Sequence, residues 1–390
     1  MARSALTLAA SIAAALPRAG VVRVSALTEG LAGRFDTAAA DLDDGRRVVI
    51  RFPEDAAASR ELAEESRALR ALTPGVRALV PFRIPEEQGS IDLDDARLVV
   101  MDFLPGYRID ATHLPAGEGA ATSLGRALAA LHALPTAVVR AEGLPARTPE
   151  QVRSEARAVI DRAAATGRVP EALERRWRRA LETEPLWRFE STVVLGAAEA
   201  GSFLFEDLTG VPTVTGVLGW HGLSVGDPAR DLQWLAAAPL AAESVYEAYA
   251  AASVRAPDAL LRERARLYAE LEFASWLVHG ADTGRADVVE DAVALLTSLA
   301  DGIGTDDVAP AAAPDLDHAI ALLDRVPDAP AAAVDTSMQT DAYDPEMLSA
   351  YLAAERAGHD AGPEEQDEAD AEALRATEAA LRRWTGTNDA

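Results

Sequence analysis

The sequence predicts an α+β protein of two lobes, and three observations carry that expectation. Strand-like segments crowd into the first hundred residues around a single helix. After a Pro-Gly break at 105–106, helical periodicity takes over and runs to about residue 302. One stretch inside the helical part, 202–219, returns to strand patterning and reads as a hairpin.

The first lobe is expected over 1–104. VVRVSAL, FDTAAADL and RRVVIRF alternate or run apolar as sheet strands do, with Gly30, Gly33 and Asp44-Gly45 as turn signals. SRELAEESRALRAL (59–72) combines strong helix formers with apolar residues at 62, 69 and 72, and Thr73-Pro74-Gly75 closes it. ARLVVMDFLPG (96–106) reads as a buried strand. The second lobe, 105–302, carries helical patterns at 121–134, 148–165, 170–182, 240–252, 257–279 and 285–302. Upstream of the first strand, Arg3 and Ser4 precede ALTLAASIAAALP (5–17). This is either an Ala-rich helix packed on the first lobe or the outline of a signal peptide. The helix is preferred, because a strand pattern follows at once without a clear cleavage site.

Past residue 302 the composition changes. Ala/Pro/Asp linkers surround a short helix near 315–324, and PEEQDEADAEALRATEAALRRW (363–384) reads as a solvated helix. Residues 301–390 hold 21 acidic and 5 basic residues, a net −16 of the chain's −26. The stretch 303–390 therefore reads as an acidic tail, disordered or loosely attached, suited to a basic protein partner if to any.

Composition also excludes several classes of function. A charge of −26 argues against binding nucleic acid or an anionic membrane, and no apolar run is long enough to span a bilayer. The chain has no cysteine, so thiolate metal sites and disulfides are ruled out; this agrees with a cytoplasmic location. Its six histidines show no metal-ligand spacing. All 37 basic residues are arginine, so any phosphate contact must come from Arg.

The chemistry-bearing stretch is 193–232, VVLGAAEAGSFLFEDLTGVPTVTGVLGWHGLSVGDPARDL. It reads strand, short loop, hairpin, then Gly226-Asp227-Pro228-x-x-Asp231-Leu232. In that order it resembles the active-site segment of the aminoglycoside/macrolide phosphotransferase family. The resemblance extends over about 20–300 and includes ALAALHALP (127–135). It implies a protein-kinase-like fold, with ATP or GTP and Mg²⁺ in the cleft between the lobes and a small-molecule alcohol as substrate. It also implies which residues should react, and those are missing. Leu195-Gly196-Ala197 stands where the family has His-Gly-Asp, so Ala197 occupies the place of the base. Ser202 stands for a metal-binding Asn. Leu218-Gly219-Trp220 stands for Ile-Asp-Trp, leaving Gly219 in place of a metal-binding Asp.

Counting inward places Ser202 and Gly219 side by side in an antiparallel hairpin centred at 210.5. Phosphoryl transfer depends on positioning and charge neutralisation, and a methyl, a hydroxyl and a bare backbone supply little of either. Glu199 is a possible substitute carboxylate or a plain solvent-facing loop residue; Glu206 and Asp207 lie near the hairpin turn. Asp227 and Asp231 are expected to cap or brace the loop before helix-forming DLQWLAAA. The resemblance further implies that Arg51 contacts phosphate, with Glu65 (or Glu64 in another register) as its helix partner. It makes Met101 to Leu104, with Met101 and Phe103 foremost, the strand that receives adenine. A surface ion pair and a core strand explain those residues as well. GLAGRFDT (30–37) is either a nucleotide loop or an ordinary turn. Two further motifs, His279-Gly280 with Asp282 and Trp220-His221-Gly222, stand in the wrong order for a base. Two functions follow as expectations: a pseudokinase that binds a nucleotide, small molecule or protein, or an active kinase that uses non-standard carboxylates.

Overall fold

The structure is a computed structural model that describes residues 5–27, 35–93, 96–255, 258–303 and 307–308. The tail helices expected near 315–324 and 363–384 lie outside the described residues, as does most of the glycine-containing loop at 30–37.

The chain opens with helix α1 (Ala5–Ala15). Strands β1 (Val21–Ala26), β2 (Phe35–Leu42) and β3 (Arg47–Pro53) follow, then helices α2 (Ala56–Ala71) and α3 (Pro74–Arg77), then strands β4 (Glu87–Leu93) and β5 (Ala96–Asp102). The strands form one antiparallel sheet in the order β1-β2-β3-β5-β4. Strand alternation divides its two faces. Val48, Ile50 and Phe52 of β3 join Leu98 and Val100 of β5 on one face, where Leu8, Ile12 and Leu16 cover them. The apolar N-terminal stretch is thus a helix whose Leu/Ile stripe closes the sheet. Val99 and Met101 point the other way, into the core shared with α2 and the helical lobe. Arg51 sits between two inward residues of β3, which aims it at α2 rather than at α1. Asp55 caps α2 by accepting the Ala58 N–H at 2.7 Å.

The second lobe contains α4 (Ala120–His132), α5 (Thr136–Ala141), α6 (Pro149–Ala165) and α7 (Glu171–Glu182). After these come β6 (Thr192–Val194), β7 (Phe203–Leu208), β8 (Val211–Val217) and β9 (Ser224–Gly226), then α8 (Ala242–Ala252), α9 (Leu261–Thr283) and α10 (Ala286–Ile303). Residues 228–237 form a 3-10 helix. Buried charge is paired inside this lobe. Arg176 donates to Glu270 at 2.8 Å, and Trp177 Nε1 donates to the same carboxylate at 2.9 Å. The described part is therefore the two-lobed, kinase-like α+β fold that the sequence predicts. Among the described residues no helix is long and apolar enough to cross a membrane.

The hairpin corrects the sequence register. Its turn is Thr209-Gly210, both with positive φ (54° and 80°), so its centre lies one residue earlier than 210.5. A bulge then shifts the pairing so that Phe203 faces Val217 and Leu204 faces Gly216. Leu218, not Gly219, meets Ser202 on the ladder, through its N–H to the Ser202 carbonyl at 2.8 Å. β4 was missed altogether. It is an edge strand of half-exposed residues, and EQGSIDL shows no clean alternation.

Candidate active site

Of the three positions that the sequence singles out, Ser202 and Gly219 meet, although the register differs, and Ala197 lies on the loop packed against Gly222. Gly219 adopts a left-handed conformation (φ 76°, ψ 47°), and a Cβ there would lie 3.5 Å from Ser202 Oγ. Ser202 is buried, and its Oγ accepts the backbone N–H of Glu199 at 3.2 Å. The loop carrying Ala197 packs against the turn at 220–222. The Gly222 carbonyl oxygen lies only 2.3 Å from where a Cβ of Gly196 would be, so this approach requires glycine. Ala197 follows directly and is half-buried.

A buried carboxylate holds the loop. Asp231 Oδ2 accepts the Leu195 N–H and Oδ1 the Gly196 N–H, both at 2.7 Å. His132 Nε2 lies 3.1 Å from Oδ2, and His132 Nδ1 lies 2.8 Å from the Tyr249 hydroxyl. Burial foremost pushes the Tyr249 phenol well above its ordinary value, with the Asp231 charge adding to it, so Tyr249 stays an O–H donor. The network closes with Tyr249 donating to Nδ1 and Nε2–H donating to Asp231. Asp227 has the other structural role expected of it. Its Oδ1 accepts the Ala229 N–H at 2.9 Å, while Arg264 and Tyr268 donate to its Oδ2, each at 2.6 Å.

From the first lobe, Arg51 Nη1 donates to Glu65, which is almost fully buried, and Arg51 also lies 3.9 Å from Glu61 and stacks on Phe35 with its Cζ 4.0 Å from the ring centre. Glu65 is the inward register; Glu64 is exposed. The other oxygen of Glu65 accepts the backbone N–H of Trp220 at 3.3 Å, so one carboxylate ties β3, α2 and the turn beside Gly219 together. His221 Nδ1 adds a second link, 3.8 Å from Glu61.

Other candidates lie apart from this convergence. Glu199 is exposed, and its backbone N–H donates to Ser202 Oγ. Glu206 pairs with Arg83, between α3 and β4, and accepts from Thr215 at 3.0 Å, while Asp207 accepts from the Tyr107 hydroxyl, just past Pro105-Gly106, at 2.6 Å. Met101 is buried within β5. Phe103 spends its N–H on the Arg47 carbonyl at 3.0 Å and its ring on the Arg47 guanidinium, 4.4 Å away. Phe103 therefore has no backbone N–H left for a base.

The Mg²⁺ that the resemblance implies does not fit this donor set. Ala197 and Gly219 offer no side-chain ligand atom, and Ser202 offers one neutral hydroxyl, which accepts a backbone bond. Among the described residues no group of three or more His, Asp or Glu side chains is arranged to hold a metal. Sequence reasoning missed His132 and Tyr249 as supports of the loop. The only signal was an apolar helix ending in histidine.

Comparison with known proteins agrees with the architecture. The profile described as the phosphotransferase enzyme family matches residues 29–268. Viomycin phosphotransferase of Streptomyces vinaceus is 29% identical over 199 residues, 48% of this chain; the match spans 66% of that relative's length. The apoenzyme structure of macrolide 2′-phosphotransferase MphH from Brachybacterium faecium is 26% identical and superposes with a TM-score of 0.61, covering 73% of this chain and 96% of that one. The GDP complex of aminoglycoside 2′-phosphotransferase-IIIa superposes with a TM-score of 0.63 at 18% identity, covering 77% and 100%, a likeness of fold. Matched over more than half its length by one profile and folded as these enzymes are, the chain belongs to the phosphotransferase enzyme family.

Proposed function

We propose that this chain is a pseudokinase of its family, keeping the frame of the site and lacking its reactive groups. The observation that carries the reading is the meeting of Ser202 and Gly219 beside the loop of Ala197, a place with no carboxylate among those three residues. Loss of a general base alone costs on the order of 10²–10⁴ in rate, and loss of the metal carboxylate compounds it. The Arg51–Glu65 pair supports a remaining role in binding, with a nucleotide or small molecule between the lobes. Structural relatives solved with GDP make a purine nucleotide the first ligand to try. A cytoplasmic location and a basic protein partner for the acidic residues past 302 belong to the same proposal.

The test is thermal stabilisation by ATP and GTP, with and without Mg²⁺, together with phosphate transfer to viomycin, a macrolide and an aminoglycoside. Stabilisation independent of Mg²⁺ and no transfer are expected. Mg²⁺-dependent stabilisation with transfer would instead establish an active kinase that recruits other carboxylates. Deleting 303–390 should abolish capture of a basic partner while the body stays folded; unchanged capture would remove the tail from the proposal.

A further inference from the structure

In the helical lobe a pocket of about 570 Å³, open to solvent on one side, is lined by residues of α4, α8 and the segment leading into β6. That volume lies within the range of small-molecule sites. None of the residues discussed above as reactive positions lines it. Trp187, Phe189, Tyr249 and His132 are among its lining residues, with one face of Phe189 already covered by the Arg264 guanidinium at 4.5 Å.

The charges around it are unequal. Glu150, Glu190 and Asp258 line the cavity, against Arg188 and Arg255. Arg255 is closed onto Glu190 at 2.6 Å, and Arg188 turns to Glu184, outside the lining, at 2.6 Å. Asp258 meets Arg264 at 2.6 Å, but that guanidinium also serves the buried Asp227 at 2.6 Å, one cation for two carboxylates. The lining is therefore partly aromatic, with three carboxylates against two guanidiniums. This favours a cation with an apolar body, which gains from aromatic faces as well as from carboxylates.

Two wall residues connect the cavity to the loop. Tyr249 and His132 are the outer links of the chain that ends in Asp231 and the Leu195 and Gly196 amides. We propose that this cavity binds a small organic cation with an aromatic or cyclic body, and that occupancy stiffens the 195–197 loop through Tyr249, His132 and Asp231. The inference stands apart from the proposed function, because neither nucleotide nor phosphate transfer enters it.

The test uses the full chain with benzyltrimethylammonium as probe, and benzyl alcohol and benzoate as neutral and anionic counterparts. Calorimetry is expected to rank the cation at least about tenfold above both, a gap of about 1.4 kcal/mol. Saturation should slow hydrogen exchange of the peptide containing Leu195 and Gly196. Ala133→Trp and Val254→Trp, each at an exposed lining position, should remove binding without unfolding the chain. Glu150→Arg should weaken cation binding. Absence of binding, equal binding of benzoate, or binding untouched by both tryptophan variants would overturn the site. Saturation that leaves loop exchange unchanged would overturn the coupling.

Discussion

His132 Nε2 stands 3.1 Å from Asp231 Oδ2, joining residues 99 positions apart in a buried contact that fixes the loop at 195–197. Asp231→Ala would leave two loop amides and an imidazole N–H unpaired. It is expected to cost about 3–5 kcal/mol, the range for stranding partners of a buried charge. Asp231→Asn, with one acceptor oxygen in place of two, should cost less, and His132→Ala less than Asp231→Ala. Chemical denaturation of the three variants would settle the order.

Glu65 joins the lobes. Because its side chain is only 3% exposed, Arg51→Ala strands a buried carboxylate, with an expected loss of about 3–5 kcal/mol. Glu61→Ala, facing Arg51 at 3.9 Å and more exposed, should cost under about 1 kcal/mol. A double-mutant cycle should give Arg51 a larger coupling to Glu65 than to Glu61; equal couplings would contradict the latch.

Gly196 lies at φ 78°, with the Gly222 carbonyl occupying the space of a Cβ. Gly196→Ala therefore combines backbone strain with a collision against main chain, which side-chain rotation cannot relieve. A loss of roughly 2–4 kcal/mol is expected, against less than about 1 kcal/mol for Gly201→Ala, where the nearest atom is a Glu199 side-chain oxygen at 3.5 Å.

Asp102 gives a pH dependence with a definite sign. Burial raises its pKa above the ordinary 3.8, while the hydrogen bond donated by the Glu86 N–H works the other way. A carboxyl raised in the folded state holds its proton to higher pH than in the unfolded chain. Its stability contribution therefore falls as pH rises from the ordinary value through the raised one. Asp102→Asn, able to keep the Glu86 bond, should raise the melting temperature at pH 7. The gain should shrink below pH 3.8. A constant difference across that range would reject the assignment.

Much of the frame was legible. Apolar β2, β3 and β5 and the periodic helices announce themselves. The hairpin centre was misread because counting cannot see a tight Thr209-Gly210 turn or the bulge that follows Leu204. β4 escaped because it is a half-exposed edge strand whose residues, EQGSIDL, show no clean alternation. At the site, local order singled out Ala197, Ser202 and Gly219 as candidates, but not what braces their surroundings. His132, Tyr249 and Asp231 meet only through folding, and nothing in their own neighbourhoods names their partners. Phe103 likewise gave no sign that its N–H would be taken by Arg47.

The central claim, that the frame persists without its reactive groups, is tested most directly by restoring them. The variant Ala197→Asp, Ser202→Asn, Gly219→Asp places carboxylates and a carboxamide where the frame converges. Asp in the left-handed conformation of Gly219 costs about 1–2 kcal/mol, which a lobe of this size can bear. The measurement is ATP-induced thermal stabilisation as Mg²⁺ is titrated, wild type beside variant. Mg²⁺-dependent stabilisation gained only by the variant is the expected result. A wild-type protein that already requires Mg²⁺ to the same degree, or a folded variant that gains nothing, would contradict the account.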